Sequence, residues 1–278
     1  MNDIKTLLWH LDTPATGGQR LPLVQGLARS LDARLEVLYA VMPLPMQFPF
    51  AMSAESGAAG QLAACEAEAR KAAKADFGRA CSAAGGDAPA WQDSLDEPVR
   101  AFCRAAWAAD LLVLNQPDPH AETPSGVPAD FVAAVLVDTG KPGLVLPYIA
   151  VAPTVGQTVV VAWKATRESA RALTASLPLL QRARQVHVVA WDEADATGAD
   201  ATQPAVQYLQ RHGVQAVAHA ENRPTRDLGE ALLSKVADLE GDLLVMGCYG
   251  HGRAREWALG GMTRTVLQSM TVPVLMAH

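Results

Sequence analysis

The chain repeats one series of strands and helices, and this repeat limits its possible folds more than any other feature. Asp110-Leu-Leu-Val-Leu114 in the first half corresponds to Asp242-Leu-Leu-Val-Met246 in the second half. Short apolar runs of this kind form strands that are buried on both faces of a parallel sheet. A second pair, Lys141-Pro-Gly-Leu-Val-Leu146 and Val272-Pro-Val-Leu-Met276, corresponds near the end of each half. Two copies of one α/β unit are the simplest explanation.

Each half alternates short apolar strands with amphipathic helices, which predicts an open parallel βαβ series in both halves. The helix after each first strand has apolar residues at helical spacing, such as Val24 and Leu27 in one half and Leu173 and Leu177 in the other. In the first half, strands are predicted at 4–11, 34–41, 88–92, 110–115 and 143–147, with helices at 18–32, 61–84, 97–109 and 127–138. In the second half, strands are predicted at 158–163, 185–191, 214–219, 242–247 and 272–276, with helices at 167–183, 202–212, 225–239 and 261–270.

The boundary between the halves is predicted near residue 150. The length of 278 residues suits two domains of ordinary size. Residues 147–156 contain two prolines and a glycine, a composition typical of a linker. We therefore expect an N-terminal domain at 1–150 and a C-terminal domain at 151–278.

Composition and charge exclude several classes of function. The net charge is −6, and no block of Lys and Arg suggests a nucleic-acid partner. No apolar run approaches the ~20 residues that span a bilayer, and the start of the chain lacks the features of a leader peptide, so no membrane partner is expected. The four cysteines show no C-x-x-C spacing, as expected in a reducing compartment. These features predict a cytoplasmic protein.

A glycine-rich segment follows the fourth strand of the second half. Gly247, Gly250, Gly260 and Gly261 lie between that apolar strand and an apparent helix start. Glycines allow close approach of the backbone, so that several N–H groups can converge on one anion. The unpaired N–H groups and the dipole of a helix start attract the same negative charge. The residues themselves therefore predict an anion-binding loop.

The glycine spacing resembles the G-x2-G-x9-G motif of universal stress proteins, because two residues separate Gly247 from Gly250 and nine separate Gly250 from Gly260. The resemblance covers residues 158–278 by motif and 1–147 by topology. It implies two tandem domains of the Rossmann-like, adenine nucleotide alpha hydrolase-like fold. In this family the last strands of two domains commonly pair, so the halves are expected to form an internal pseudo-dimer.

The resemblance also implies a ligand, ATP or a related adenine nucleotide, possibly with Mg²⁺, in the C-terminal domain. The glycine loop and the helix start would hold the phosphates and the ribose, and the end of the first strand would lie near the base. His251 and Arg253 could also donate to phosphate oxygens, or could be solvated. The residues implied to bind nucleotide are Ala162, Trp163, Lys164, Gly247, Gly250, His251, Gly252, Arg253, Gly260, Gly261, Met262 and Thr263.

Two positions depart from the family pattern. Gly261 stands where the motif has Ser or Thr, so a hydroxyl contact is lost, although the backbone N–H remains and Thr263 lies two residues further on. Lys164 stands where many members have Asp, and an ammonium cannot accept a hydrogen bond from an adenine amino group. Lys164 could instead meet a phosphate or an acidic ligand, or project into solvent, which we favour.

The first half shows the opposite pattern. It keeps Asp12 at the end of its first strand, but Asn115 and Asp118 stand opposite Gly247 and Gly250. Carboxylates repel phosphate, and the prolines of this loop have no N–H group to donate. We therefore predict that the N-terminal half does not bind nucleotide through this loop.

The leading hypothesis is a cytoplasmic stress-response protein that binds an adenine nucleotide in its C-terminal domain and pairs with a second copy of itself. No catalytic residues are predicted, since no triad or metalloprotease motif is present, and slow ATP hydrolysis ranks lowest. No metal ligands are predicted either. The acidic residues Asp192, Glu193 and Asp195 are interpreted as a solvated loop, with metal binding as the less favoured alternative.

A rival hypothesis is an interaction protein that binds no nucleotide and acts through protein partners. The Met- and Phe-rich segment 42–52 would then be a partner surface or a lid; packing against the protein's own helices is the favoured interpretation. Cys248 is interpreted as a packing residue, and a thiol activated by a helix dipole is the alternative.

Overall fold

A computed structural model describes residues 3–12, 14–48, 58–85, 88–120, 126–149, 154–191, 198–222, 224–225, 227–249 and 261–278, with the backbone alone at 14–16 and 198–200. The first half contains β1 (Thr6–Leu11), α1 (Pro14–Leu31), β2 (Arg34–Ala40), α2 (Leu44–Gln47), α3 (Ala59–Ala84), β3 (Ala90–Ser94), α4 (Pro98–Ala106), β4 (Leu111–Asn115), α5 (Phe131–Thr139) and β5 (Gly143–Leu146). The second half contains β6 (Thr158–Ala162), α6 (Arg167–Leu180), β7 (Gln185–Trp191), α7 (Gly198–Arg211), β8 (Val217–Glu221), α8 (Leu228–Asp238), β9 (Leu243–Gly247), α9 (Gly261–Ser269) and β10 (Val274–Ala277).

The described strands form one continuous sheet in the order β3-β2-β1-β4-β5-β10-β9-β6-β7-β8. Within each half the paired strands are parallel. The halves meet where β5 and β10 pair antiparallel, with Val145 opposite Val274. The predicted fold class is confirmed, because two open parallel βαβ units pair through their last strands.

The strand registers show the repeat residue by residue. Leu7 of β1 lies opposite Leu111 of β4, and Val159 of β6 lies opposite Leu243 of β9. Counting along the strands from these pairs, Asp12 corresponds to Lys164 and Asn115 corresponds to Gly247. The positions compared in the sequence are therefore structurally equivalent.

An aspartate directly precedes the fourth strand of each half. Asp110 accepts hydrogen bonds from the backbone N–H groups of Lys5 and Thr6, both at 2.9 Å. Asp242 accepts from three N–H groups at residues 156–158, at 2.9–3.1 Å. Each aspartate thereby satisfies the backbone that enters the first strand of its half, which explains why Asp precedes Leu-Leu-Val in both copies.

Helices cover both faces of the sheet and bury its alternating side chains. Residues of α1, α3, α6 and α7 pack on one face, over Leu7 and Trp9. Residues of α4, α5, α8 and α9 pack on the other face, over Leu8. A sheet covered on both faces requires strands that are apolar throughout, which explains the unbroken apolar runs in the sequence. In the part of the chain that the structure describes, no helix is both long and apolar enough to cross a bilayer.

Several predicted boundaries were wrong by a few residues. The strand predicted at 214–219 is β8, which begins at Val217, because the N–H of Val214 bonds to the carbonyl of Leu209 and closes the end of α7. Of the segment 42–52, the structure describes residues 42–48, which contain the short helix α2. The N–H of Leu44 donates to the Glu66 carboxylate of α3 at 2.5 Å, so this described part packs against the protein's own helix.

Candidate functional site

The candidate site lies at the carboxyl ends of β6 and β9. The chain leaves β6 for β7 on one side, and β9 lies on the other side, so the strand order reverses at this point. Ligands of open α/β sheets bind in the crevice that such a reversal creates. Ala162 pairs with Met246 in the register, which brings the predicted segment 162–164 next to Gly247.

Residues that leave β6 form one wall of the crevice. Ala162 is buried and belongs to the core, whereas Lys164 is exposed. The backbone N–H of Trp163 donates to the carbonyl of Val189 at 2.8 Å, which extends the pairing with β7. The indole Nε1 of Trp163 is buried and has no hydrogen-bond partner in the described part of the chain. Sequence reasoning placed Trp163 here but gave no sign of its unused donor.

Gly247 is required by packing. A Cβ atom at this position would lie 2.5 Å from the backbone N of Ser169 and 2.6 Å from the carbonyl carbon of Glu168. The end of β9 therefore presses directly on the first turn of α6, where no side chain fits. Thr166 caps this turn, because its hydroxyl accepts from the N–H of Ser169 at 3.3 Å.

Glu168 places a buried carboxylate beneath the crevice, and its side chain forms an ion pair with Arg167. Burial acts to raise the pKa of Glu168, but hydrogen bonds from Arg167, its own N–H and Thr166 together hold that pKa below the ordinary value. Nothing in the sequence pattern indicated this residue except its place just after the capping Thr166. Glu168 therefore favours its charged form, and that charge is paired with Arg167.

Cys248 and Tyr249 directly follow Gly247 and precede Gly250 in the sequence. Burial, together with Glu168, raises the pKa of the Cys248 thiol to about 12, so the thiol stays protonated at neutral pH. Cys248 is therefore a packing residue, and the alternative of an activated thiol is wrong.

Tyr249 has a left-handed backbone with φ of 58°, an uncommon conformation for a large side chain. The residue is only 9% exposed, and its hydroxyl has no hydrogen-bond partner among the described residues. Burial, then Cys248, raises the pKa of the phenol. Backbone strain at such a position is typical of segments that shape a site, and the sequence contained no signal for it.

The first turn of α9 lies at the other side of the site. Among the described residues, no heavy atom lies within 4 Å of the position of a Cβ added at Gly261, so none of them crowds this helix start. Met262 is partly buried against the core and Thr263 is buried. The N–H groups of a first helical turn lack intrahelical partners and carry the positive end of the dipole. This turn can therefore attract an anion.

Five of the predicted site residues lie outside the described residues: Gly250, His251, Gly252, Arg253 and Gly260. Their contacts remain predictions. The described site residues come from three elements, with 162–164 at the end of β6, 247 at the end of β9 and 261–263 at the start of α9. Since β6 and β9 are paired, the first two groups lie at neighbouring strand ends.

The equivalent crevice of the N-terminal half is filled by its own polar side chains. Asn115, at the place of Gly247, donates through its amide to the carbonyl of His10 at 3.1 Å and to the carboxylate of Asp12 at 3.2 Å. Arg20 is buried and donates to the carbonyl of Pro147 at 2.9 Å. Burial lowers the pKa of this guanidinium, while Asp12 and Asp118 act to raise it.

A second guanidinium occupies the ends of β2 and β3 in the same half. Arg70 of α3 is buried, and it bonds to Glu66 and Asp93, both at 2.5 Å, and to the carbonyl of Ser94 at 2.8 Å. Its carbon Cζ lies 5.5 Å from the centre of the Tyr39 ring. These partners satisfy the arginine inside the protein, so it is not available to a phosphate.

Within the described residues, no group of three or more His, Cys, Asp or Glu side chains is arranged to hold a metal ion. The acidic residues Asp192, Glu193 and Asp195 lie outside those residues, so both interpretations of that run remain untested.

The sequence matches no protein-family model and no curated protein. A universal stress protein from Archaeoglobus fulgidus DSM 4304 matches in structure with a TM-score of 0.73 at 16% identity, over 98% of this chain and 95% of that chain. A putative universal stress protein from Pseudomonas aeruginosa UCBPP-PA14 matches with a TM-score of 0.57 at 18% identity, over 98% and 92%.

A functionally unknown protein from Pseudomonas aeruginosa PAO1 also matches, with a TM-score of 0.59 at 15% identity, over 98% of this chain and 92% of that chain. The chain therefore has the fold of the universal stress proteins, with two such units in tandem. The resemblance carried by the glycine spacing is confirmed at the level of the fold.

Proposed function

We propose that the chain is a universal stress protein with a stress-response role, and that its C-terminal half binds ATP or a related adenine nucleotide, with or without Mg²⁺. The observation that carries this proposal is the asymmetry between two equivalent crevices. Gly247 leaves the crevice between β6 and β9 without a side chain at its strand end, whereas Asn115 bonds across the equivalent crevice to Asp12.

The charges near the site indicate which part of a nucleotide goes where. The first turn of α9 offers N–H groups without intrahelical partners, and no described residue crowds Gly261, which suits phosphate. On the α6 side, under the end of β9, the buried carboxylate of Glu168 is paired with Arg167, so this pair has no net charge to attract phosphate. We therefore place the phosphates toward α9 and the glycine loop, and the base toward Trp163, whose flat ring can pack against a purine.

Titration of the full chain with ATP, followed by calorimetry, tests this proposal. Gly261→Glu adds a carboxylate at the start of α9, where no described residue lies within 4 Å of the new Cβ. Repulsion of the phosphates should weaken binding by about tenfold or more, which corresponds to ~1.4 kcal/mol. Gly261→Ala is the matched control and should bind like the wild type.

Gly250→Glu tests the loop itself and should abolish binding. The proposal fails if the wild type does not bind millimolar ATP, or if both glutamate variants bind as well as the wild type does. Release of phosphate over the same titration separates binding from slow hydrolysis, because a binding protein without turnover leaves ATP intact.

The alternative of an interaction protein that binds no nucleotide has one observation in its favour. Met46, in α2, and Phe48, just after it, are 52% and 53% exposed. They are exposed although Leu44 of the same helix bonds to Glu66. Large exposed apolar side chains are typical of partner surfaces. A wild-type chain that binds no nucleotide would favour this alternative. ATP binding by the wild type, unchanged in the double variant Met46→Ser, Phe48→Ser, would oppose it.

The domain organisation and the setting of the protein are also part of the proposal. Residues 1–150 and 151–278 would be the two domains, the chain would pair with a second copy, and it would act in the cytoplasm. Light scattering on the purified chain measures the copy number directly. A monomeric mass at micromolar concentration would contradict the expected dimer.

A further inference from the structure

Two histidines meet at the outer edge of the C-terminal half, away from the crevice. Nδ1 of His187, on β7, lies 3.0 Å from Nε2 of His219, on β8, and the ring centres are 5.1 Å apart. In the strand register His187 lies opposite Val217, and His219 lies opposite Val189. The two imidazoles are therefore diagonal neighbours on one face of the sheet, at a distance that such pairs reach.

Solvent has access to this pair. Both imidazoles are partly exposed, and β8 is the last described strand of the sheet. The neighbouring residue Val217 is 56% exposed, as expected at an edge. An ion from solution can therefore reach the two ring nitrogens without opening the core.

The surroundings keep the two rings uncharged. Lys235 of α8 lies nearby and forms an ion pair with Glu221 of β8 at 2.5 Å. Burial, then Lys235, lowers the pKa of His187; burial, Lys235 and His187 lower that of His219, against an opposite effect of Glu221. Neutral imidazole is the form that binds metal ions.

We propose that His187 and His219 together bind a divalent transition-metal ion, with Cu²⁺ or Ni²⁺ as the class that fits best. Metal–nitrogen bonds of ~2.0–2.1 Å across the 3.0 Å separation give a nitrogen–metal–nitrogen angle of about 94°. That angle suits two adjacent positions of a square-planar or tetragonal ion, the geometry of Cu²⁺ and Ni²⁺. A tetrahedral Zn²⁺ would need the nitrogens about 3.3 Å apart.

Metal binding shifts one proton within one of the two rings and releases none. In the free protein one ring donates its N–H to the lone pair of the other ring. On metal binding that proton moves to the remote nitrogen of the same ring, so both facing nitrogens offer lone pairs and no net proton is released. Water fills the remaining positions on the ion.

Titration of the untagged full chain with Cu²⁺, in the presence of glycine as a weak competitor, tests this site. Electron paramagnetic resonance should show two nitrogen ligands in the wild type. His187→Gln and His219→Gln should each weaken the binding at least tenfold and remove one nitrogen from the spectrum. His212→Gln is the matched control, since His212 is an exposed histidine in the turn after α7, and it should leave the binding unchanged.

A third variant addresses the surrounding charge. Lys235→Gln removes a cation near the pair and releases Glu221 from its ion pair, so it should strengthen Cu²⁺ binding several-fold without altering either ligand. Circular dichroism verifies that each variant is folded. Binding of equal strength in the wild type and in both histidine variants would overturn the proposal, and the contact at 3.0 Å would then be an imidazole–imidazole hydrogen bond only. Because no nucleotide is used, the result is independent of the proposed ATP site.

Discussion

The side-chain amide of Gln116, in the N-terminal half, donates a hydrogen bond at 2.8 Å to the backbone carbonyl of Leu267, in the C-terminal half. The same amide lies 3.2 Å from the carbonyl of Gln268, and its oxygen accepts from the N–H of Tyr148 at 2.9 Å. Gln116 is buried. The last carbonyls of a helix have no partner within it, so the strand-end residue of one half satisfies the helix α9 of the other.

Gln116→Leu should therefore destabilise the whole chain. It removes the part-buried hydrogen bonds to the carbonyls of Leu267 and Gln268 and from the N–H of Tyr148, which costs about 1–3 kcal/mol in total, and urea denaturation measures the free energy of unfolding. Gln92→Leu is a suitable control, because the bond from Gln92 to Glu36 is exposed and adds little. An unfolding free energy for Gln116→Leu equal to that of the wild type would contradict this role.

Gly247→Ala should destabilise the protein although it adds a single methyl group. The new Cβ would lie 2.5 Å from the backbone of α6, and overpacking of this kind costs about 1–3 kcal/mol. Gly261→Ala, where no described residue lies within 4 Å of the new Cβ, is the control and should be neutral or slightly stabilising. Thermal denaturation of the two variants compares them directly, and equal midpoints would show that the strand end can move away from α6.

Gly261→Ser should strengthen ATP binding, on the basis of the proposed function. The Cβ of serine would meet no described residue within 4 Å, and its hydroxyl is the group that the glycine motif of the family has at this place. A hydrogen bond to a charged group contributes about 1.5 kcal/mol or more, so the dissociation constant should fall by roughly tenfold. Calorimetry on Gly261→Ser and Gly261→Ala separates the hydroxyl from the added carbon. Equal affinities for these two variants would place the phosphate away from this helix start.

The stability of the chain should decrease as the pH falls below about 6.5, the ordinary pKa of histidine. Burial lowers the pKa of His10, His187 and His219 in the folded state. The unfolded chain therefore binds more protons in this range, and stability is fully present only above that value. Lys235 and Glu221 face the partly exposed pair. Denaturation at pH 5 and pH 8 should show a smaller difference for the double variant His187→Gln, His219→Gln than for the wild type.

Much of the fold was predictable from the sequence, because its main signals are local. Apolar runs of strand length and the repeated Asp-Leu-Leu-Val led to the two parallel units, and the structure confirms the expected pairing of their last strands. The equivalence of Asn115 with Gly247 also follows from aligned strands, and the registers agree.

The contacts that shape the candidate site were not predictable, since they depend on side chains from distant elements. Glu168 is buried only because β9 ends against the first turn of α6, and the reason for Gly247 is the same contact. The left-handed backbone of Tyr249 and the bond from Gln116 to α9 have no periodic signal. The meeting of His187 with His219 required the pairing of β7 with β8.

The antiparallel pairing of β5 with β10 joins two related units that belong to one covalent chain. They are not two identical subunits related by symmetry. In a dimer of identical subunits, every substitution appears at both sites, so loss of a glycine at one strand end is loss at two. Here each strand end varies independently. One half has Asn115 at its strand end, and its next residue, Gln116, bonds to the neighbouring half. The other half has Gly247 at the equivalent place. Within one chain, one strand end thus supports a helix through Gln116, while the equivalent strand end, at Gly247, carries no side chain.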